Sequence, residues 1–127
     1  MAYFRFSNNP LGKTVGDCVI RAICVATGDS WDKVFWDLCE QAYELADLPA
    51  SNTVWDAYLR KRGFERRAIP NNCPNCYTVN EFALDHPYGT YILGTGTHAV
   101  TVKNGNVYDA WNSLGEVPIC YYALKEV

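Results

Sequence analysis

The apolar residues of this chain keep two different periods, and the change between them restricts the fold more than any other feature. From about residue 17 to residue 62 they recur every three or four positions, the spacing of amphipathic helices. From residue 89 onward they alternate, the spacing of half-buried strands. Helices and strands segregated in this way point to an α+β class rather than an alternating α/β fold. The expected architecture is N-terminal helices packed on a C-terminal antiparallel sheet. At 127 residues the chain fits a single domain, 1–127, with a core that can stand without cross-links.

Residues 1–16 carry Asn8, Asn9, Pro10, Gly12 and Gly16 and read as an extended loop. A helix is expected from about Asp17, a good N-cap residue, to Gly28, with Val19, Ile20, Ala22, Ile23 and Ala26 on its apolar face. A second helix, capped by Asp29 or Ser30, runs to about Leu45. A third follows Ser51 or Asn52 and stops at Gly63. Residues 64–69 read as a short strand. Thr78-Val79-Asn80-Glu81 has the capping-box pattern and opens a fourth helix that ends before Pro87. Strands are expected at 89–94, 97–103, 106–111 and 117–124. Asn104-Gly105 between two of them is a strong hairpin signal.

Composition removes several function classes. With 11 basic and 14 acidic residues the net charge is −3, so no nucleic-acid partner is expected. The one basic cluster, Arg60, Lys61, Arg62, Arg66 and Arg67, reads as charge complementing a helix end. No apolar run reaches the roughly 18 residues of a membrane span. Met1-Ala2-Tyr3-Phe4-Arg5 does not open a signal peptide. A cytoplasmic location is therefore expected, with reduced thiols.

Of the six cysteines, Cys24, Cys39 and Cys120 read as small buried hydrophobes. Cys73 and Cys76 have knuckle or redox spacing, but no second knuckle exists, and Cys120 and His86 are the only spare donors. No metal and no cofactor are expected, and Cys73 and Cys76 read otherwise as loop cysteines able to form an adventitious disulfide. His86 reads as a cation at a helix end. Trp31, Trp36 and Trp55 read as core residues, and Trp111 as either core or a shield over the chemistry described next.

Cys18, His98 and Asp109 carry that chemistry. Cys18 stands at the start of an apolar helix, where free N–H groups and the helix dipole favour thiolate over thiol. The same N–H groups suit a developing oxyanion. A thiolate nucleophile needs a base, and His98 is one of two histidines. The base needs an orienting acceptor. Register about Asn104-Gly105 pairs Lys103 with Asn106 and Val102 with Val107, which makes Asp109 a near neighbour of His98. Asn112 is the competing candidate.

GDCVIRAI at 16–23 and GTHAVTVKNGNVYDAW at 96–111, in the order Cys–His–Asp, resemble the papain-like cysteine peptidase superfamily. The nearest flavour is that of small bacteriocin-processing peptidase domains and phage proteins of similar build. The resemblance implies Cys18 as nucleophile, His98 as base, Asp109 as orienting acid, and a site in the cleft between helices and sheet. It implies a hydrolase acting on a peptide or protein substrate through a thioester. Such enzymes often carry Gln or Asn shortly before the nucleophile as oxyanion donor. Residues 11–16 hold neither, which leaves Asn8, Asn9, Thr14 or the Cys18 backbone N–H. A rival reading keeps the fold without the activity, as a phage-encoded module that sequesters a host factor in the host cytoplasm.

Overall fold

A computed structural model describes residues 3–70 and 75–125. Its elements in chain order are β1 (Tyr3–Arg5), α1 (Cys18–Thr27), α2 (Trp31–Leu45), α3 (Asn52–Lys61), β2 (Phe64–Ala68), α4 (Val79–Asp85), β3 (Thr90–Gly94), β4 (Ala99–Lys103), β5 (Asn106–Asp109) and β6 (Cys120–Leu124). The class is α+β. The strands form one six-stranded sheet in the order β1-β5-β4-β3-β6-β2. Among the described residues no helix is long and apolar enough to cross a membrane.

Local chemistry explains where the helices start and stop. Ser30 Oγ accepts from the Lys33 N–H at the head of α2, and Thr78 Oγ1 accepts from Glu81 N–H at the head of α4. Gly28 ends α1 in the left-handed conformation, its N–H bonded to the Cys24 carbonyl.

Alternation along the strands then sorts the core into two layers. Ile92 and Tyr122 face α1, α2 and α3, where they join Ile23, Val34, Leu38, Val54 and Leu59. Leu93, Val100, Val102 and Val107 face the other way and pack with Val79 and Phe82 of α4. Each fully buried Leu, Ile, Val or Phe contributes roughly 1.5–3 kcal/mol of transfer free energy. A polar bond helps stitch α1 to the sheet: Thr101 Oγ1 donates to the Ala22 carbonyl at 2.6 Å.

The sheet is not the purely C-terminal, antiparallel one the sequence suggests. β1 lies inside the stretch read as loop and pairs with β5 in parallel, Tyr3 against Val107 and Arg5 against Asp109. Three residues are too few to show a period, and the partner lies about a hundred positions away. β2 also precedes α4 and forms the opposite edge. α4 covers the face that the other helices leave open. Arg66 and Arg67 sit in β2 rather than at a helix end, and Arg60, Lys61 and Arg62 pair with Asp56, Glu44 and Asp29.

The tryptophans and cysteines also depart from expectation in places. Trp36 is 68% exposed, not core. Cys24 and Cys120 are buried as expected, while Cys39 is half-buried. Cys76 is disulfide-bonded, which departs from the general expectation of reduced thiols but agrees with its reading as a loop cysteine able to pair; Cys73 lies outside the described residues. The His86 ring stacks on Phe82 at 3.8 Å, with Nδ1 on the Phe82 carbonyl, so packing fixes it as much as any helix-end charge.

The hairpin between β4 and β5 sets the register on which the site depends. Asn104 and Gly105 have φ of 51° and 75°, the paired positive values of a type I′ turn. A Cβ on Gly105 would also meet Pro87 Cα at 3.3 Å and the Ala83 carbonyl at 3.4 Å. Gly105→Ala is expected to destabilise the protein by about 1–3 kcal/mol, read from the denaturant midpoint. A loss below about 0.5 kcal/mol would contradict this account of the turn.

Candidate active site

α1 begins at Cys18, and Asp17 occupies the N-cap position without capping. Its carboxylate is used elsewhere: Oδ1 accepts from Arg21 Nη1 at 2.9 Å and Oδ2 from Trp31 Nε1 at 3.0 Å. The N–H groups of Cys18, Val19 and Ile20 therefore have no hydrogen-bond partner among the described residues. They surround the sulfur with partial positive charge.

His98 precedes β4 and is fixed by a tight turn. Its N–H donates to Thr95 Oγ1 at 3.0 Å, and its carbonyl accepts from the Thr95 N–H at 2.9 Å. Its Nε2 lies 2.6 Å from Asp109 Oδ2. That leaves Nδ1 as the ring nitrogen available to the neighbouring Cys18 thiol, whose interaction with the imidazole helps raise the His98 pKa. Trp111 covers the imidazole, with ring centroids 4.9 Å apart, which is the shielding arrangement rather than simple core packing.

Asp109 closes β5 and is fully buried. Besides His98, its carboxylate accepts from Ser113 Oγ at 2.6 Å, Ala110 N–H at 2.7 Å, and Arg21 Nη2 and Nε at 3.0 and 3.2 Å. Arg21 is itself only 6% exposed. Its buried charge is thus paired with two carboxylates, as burial demands.

The electrostatics follow from these contacts. Burial pushes the Cys18 thiol up, but hydrogen bonds from His98 and the Ala99 backbone, with the charges of His98 and Arg21, outweigh it and hold its pKa below 9.0. Burial pulls His98 down, yet the bonds to Asp109 and Cys18 lift it to about 9. Asp109 would be raised by burial and is instead lowered, chiefly by the His98 bond and then Ser113. Both shifts run toward the charged forms, thiolate on Cys18 and imidazolium on His98.

The sulfur opens into a cleft of about 700 Å³ between α1, α2, the head of α3 and the loop before His98. Its walls are largely apolar, with Val19, Ile20, Trp31, Phe35, Leu38 and Trp55. Trp55 is buried in the core, as read from the sequence, and also lines the cleft, while Trp31 packs against that core and forms another wall.

The side-chain oxyanion candidates are not brought together here. Asn8 lies beside Cys24, about 9 Å along α1 from Cys18, and lines a separate cavity, its Oδ1 buried without a hydrogen-bond partner among the described residues. Asn9 Oδ1 accepts from Leu11 and Lys13 N–H groups within its own turn. Thr14 is exposed and outside the cleft. Asn112 Oδ1 accepts from Leu114 N–H, so Asp109, not Asn112, partners His98. Only the backbone N–H groups at the start of α1 remain. Arg21 and Ser113 were not singled out by the sequence. An Asp four residues before an Arg, straddling a cysteine on an otherwise apolar helix, is the signal that was available.

No protein-family model, curated protein or solved structure matches this chain.

Proposed function

We propose that this chain is a papain-like cysteine hydrolase that cleaves an amide or peptide bond flanked by a bulky apolar group. One observation carries the reading: a thiol and an imidazole line the same apolar cleft, and a buried carboxylate lies 2.6 Å from that imidazole. In the proposed cycle the Cys18 thiolate attacks the carbonyl carbon, and a C–S bond forms as the carbonyl oxygen becomes an oxyanion. The unpartnered N–H groups of Cys18 and Val19 are suited to receive it. The His98 imidazolium gives its proton to the leaving amine as the C–N bond breaks, leaving a thioester. Water then attacks, His98 takes its proton, and the C–S bond breaks to release a carboxylic acid and the thiolate. The cleft walls favour a peptide or protein substrate that offers an aromatic or branched aliphatic side chain next to the scissile bond.

The test is a panel of short peptides bearing a fluorogenic amine, varied in the residue beside the scissile bond. Release is expected from wild-type protein with bulky apolar residues, and none from Cys18→Ala. Wild-type protein as silent as Cys18→Ala across the panel would overturn this reading. It would then favour the rival, a non-catalytic binding module. That rival is supported by the lack of any side-chain oxyanion donor among Asn8, Asn9, Thr14 and Asn112.

A further inference from the structure

Asp109 is gripped by more donors than alignment of one histidine requires. Oδ1 accepts both Arg21 nitrogens and the Ala110 N–H, while Oδ2 is left to His98 and Ser113. The remaining terminal nitrogen of Arg21, Nη1, is bonded to Asp17. One planar guanidinium in α1 is thus held at both ends, one turn beyond the cysteine on the same helix.

We infer that Arg21 is a positioning residue whose guanidinium fixes the Asp109 carboxylate so that Oδ2 faces His98. It ties the acid of the site to the helix that carries the sulfur. Its catalytic consequence rests on the hydrolase reading above; the geometry itself does not.

Three considerations favour this over a purely structural role. A buried ion pair is a poor source of net stability compared with apolar residues of similar volume, which Ala22 and Ile23 beside it already exemplify. The two-point grip on one carboxylate is a property of the guanidinium that lysine cannot reproduce. And the Arg21 charge also acts on the Cys18 thiol directly, lowering its pKa. The charged or titratable groups facing Arg21 are Asp17, Cys18, Asp109 and, through Asp109, His98. The neighbours Trp31, Ser113 and Tyr3 bring only neutral donors to Asp17 and Asp109.

The experiment follows iodoacetamide alkylation of Cys18 against pH, read by mass spectrometry on the tryptic peptide 14–21, in which Cys18 is the sole cysteine. Wild type is compared with Arg21→Lys, and melting is recorded for each. The lysine variant is expected to melt near wild type while its alkylation profile moves up by about one pH unit, a tenfold slower reaction on the rising limb. A wild-type profile in Arg21→Lys overturns the inference. Should Arg21→Lys fail to fold, Asp17→Ala decides, because it removes the acceptor of Nη1 while leaving Arg21 and Asp109 in place. An upward shift there supports the inference, and an unchanged profile overturns it. These readouts need no substrate. A shifted profile in a protein without hydrolase activity would therefore sustain Arg21 while sinking the hydrolase. A wild-type thiol titrating like a free one, near pH 8.5, would remove the activated pair and both readings with it.

Discussion

His98→Ala is expected to slow alkylation of Cys18 at pH 7 by at least about tenfold, because an isolated thiol is only a few per cent ionised there. The imidazole is both the hydrogen-bond donor and the nearest positive charge that hold the sulfur as thiolate. Without it, burial is left to push the thiol upward. If the hydrolase reading holds, turnover falls further, by about 10²–10⁴, since the leaving amine also loses its proton donor. The direction with pH is fixed by the two shifts. Cys18 is lowered from 9.0 and His98 raised to about 9, so the charged pair persists from the lowered thiol value up to about pH 9 and is lost on either side. The wild-type activity profile should accordingly be bell-shaped with its upper limb near pH 9. An upper limb near 6.5, the ordinary histidine value, would show that Asp109 and Cys18 do not lift the imidazole.

Asp109→Ala is expected to be the most destabilising single change at the site, by about 3–5 kcal/mol. It removes the acceptor of five hydrogen-bond donors and leaves the buried Arg21 with Asp17 alone. For a domain of this size that loss lowers the melting temperature by roughly 10–20 °C. Asp109→Asn keeps the shape and loses less. Adding Arg21→Met to Asp109→Ala should recover part of the loss, because the unpaired charge goes with it. Thermal melts of the three variants decide the matter. A cost below about 1 kcal/mol for Asp109→Ala would mean that water reaches the carboxylate.

Sign and pH window follow for stability as well. His98 is raised from 6.5 to about 9, so its contribution is complete below pH 6.5 and fades as pH climbs toward 9. Asp109 is lowered from 3.8, so its contribution is present above that value and fades as pH falls below it.

Much of this scaffold was legible because its signals are local. Val19, Ile20, Ala22 and Ile23 mark a helix by spacing alone, Thr78 and Glu81 mark the head of another, and Asn104-Gly105 fixes a register that carries Asp109 to His98. The proximity of Cys18, His98 and Asp109 was readable from order and turn chemistry. The supports were not. Asp17 reads as a cap by residue type, yet its carboxylate goes to Arg21 and Trp31, a tertiary choice that no local rule encodes. Ser113 sits in a loop whose path depends on the packed sheet. The parallel pairing of β1 depends on β5, and a three-residue strand carries no period by which to find it.

That pairing bears on when the protein becomes competent during its synthesis. The Tyr3 hydroxyl and the Phe6 N–H both bond to the Asp109 carbonyl, so two early residues clasp one roughly a hundred positions later. A ribosome must deliver residue 109 before that clasp can shut, and contacts of such wide sequence separation form late and slowly. A nascent chain halted before residue 109 has the sulfur but neither its carboxylate nor the strand that frames it. The site therefore cannot be complete until residue 109 has joined the fold.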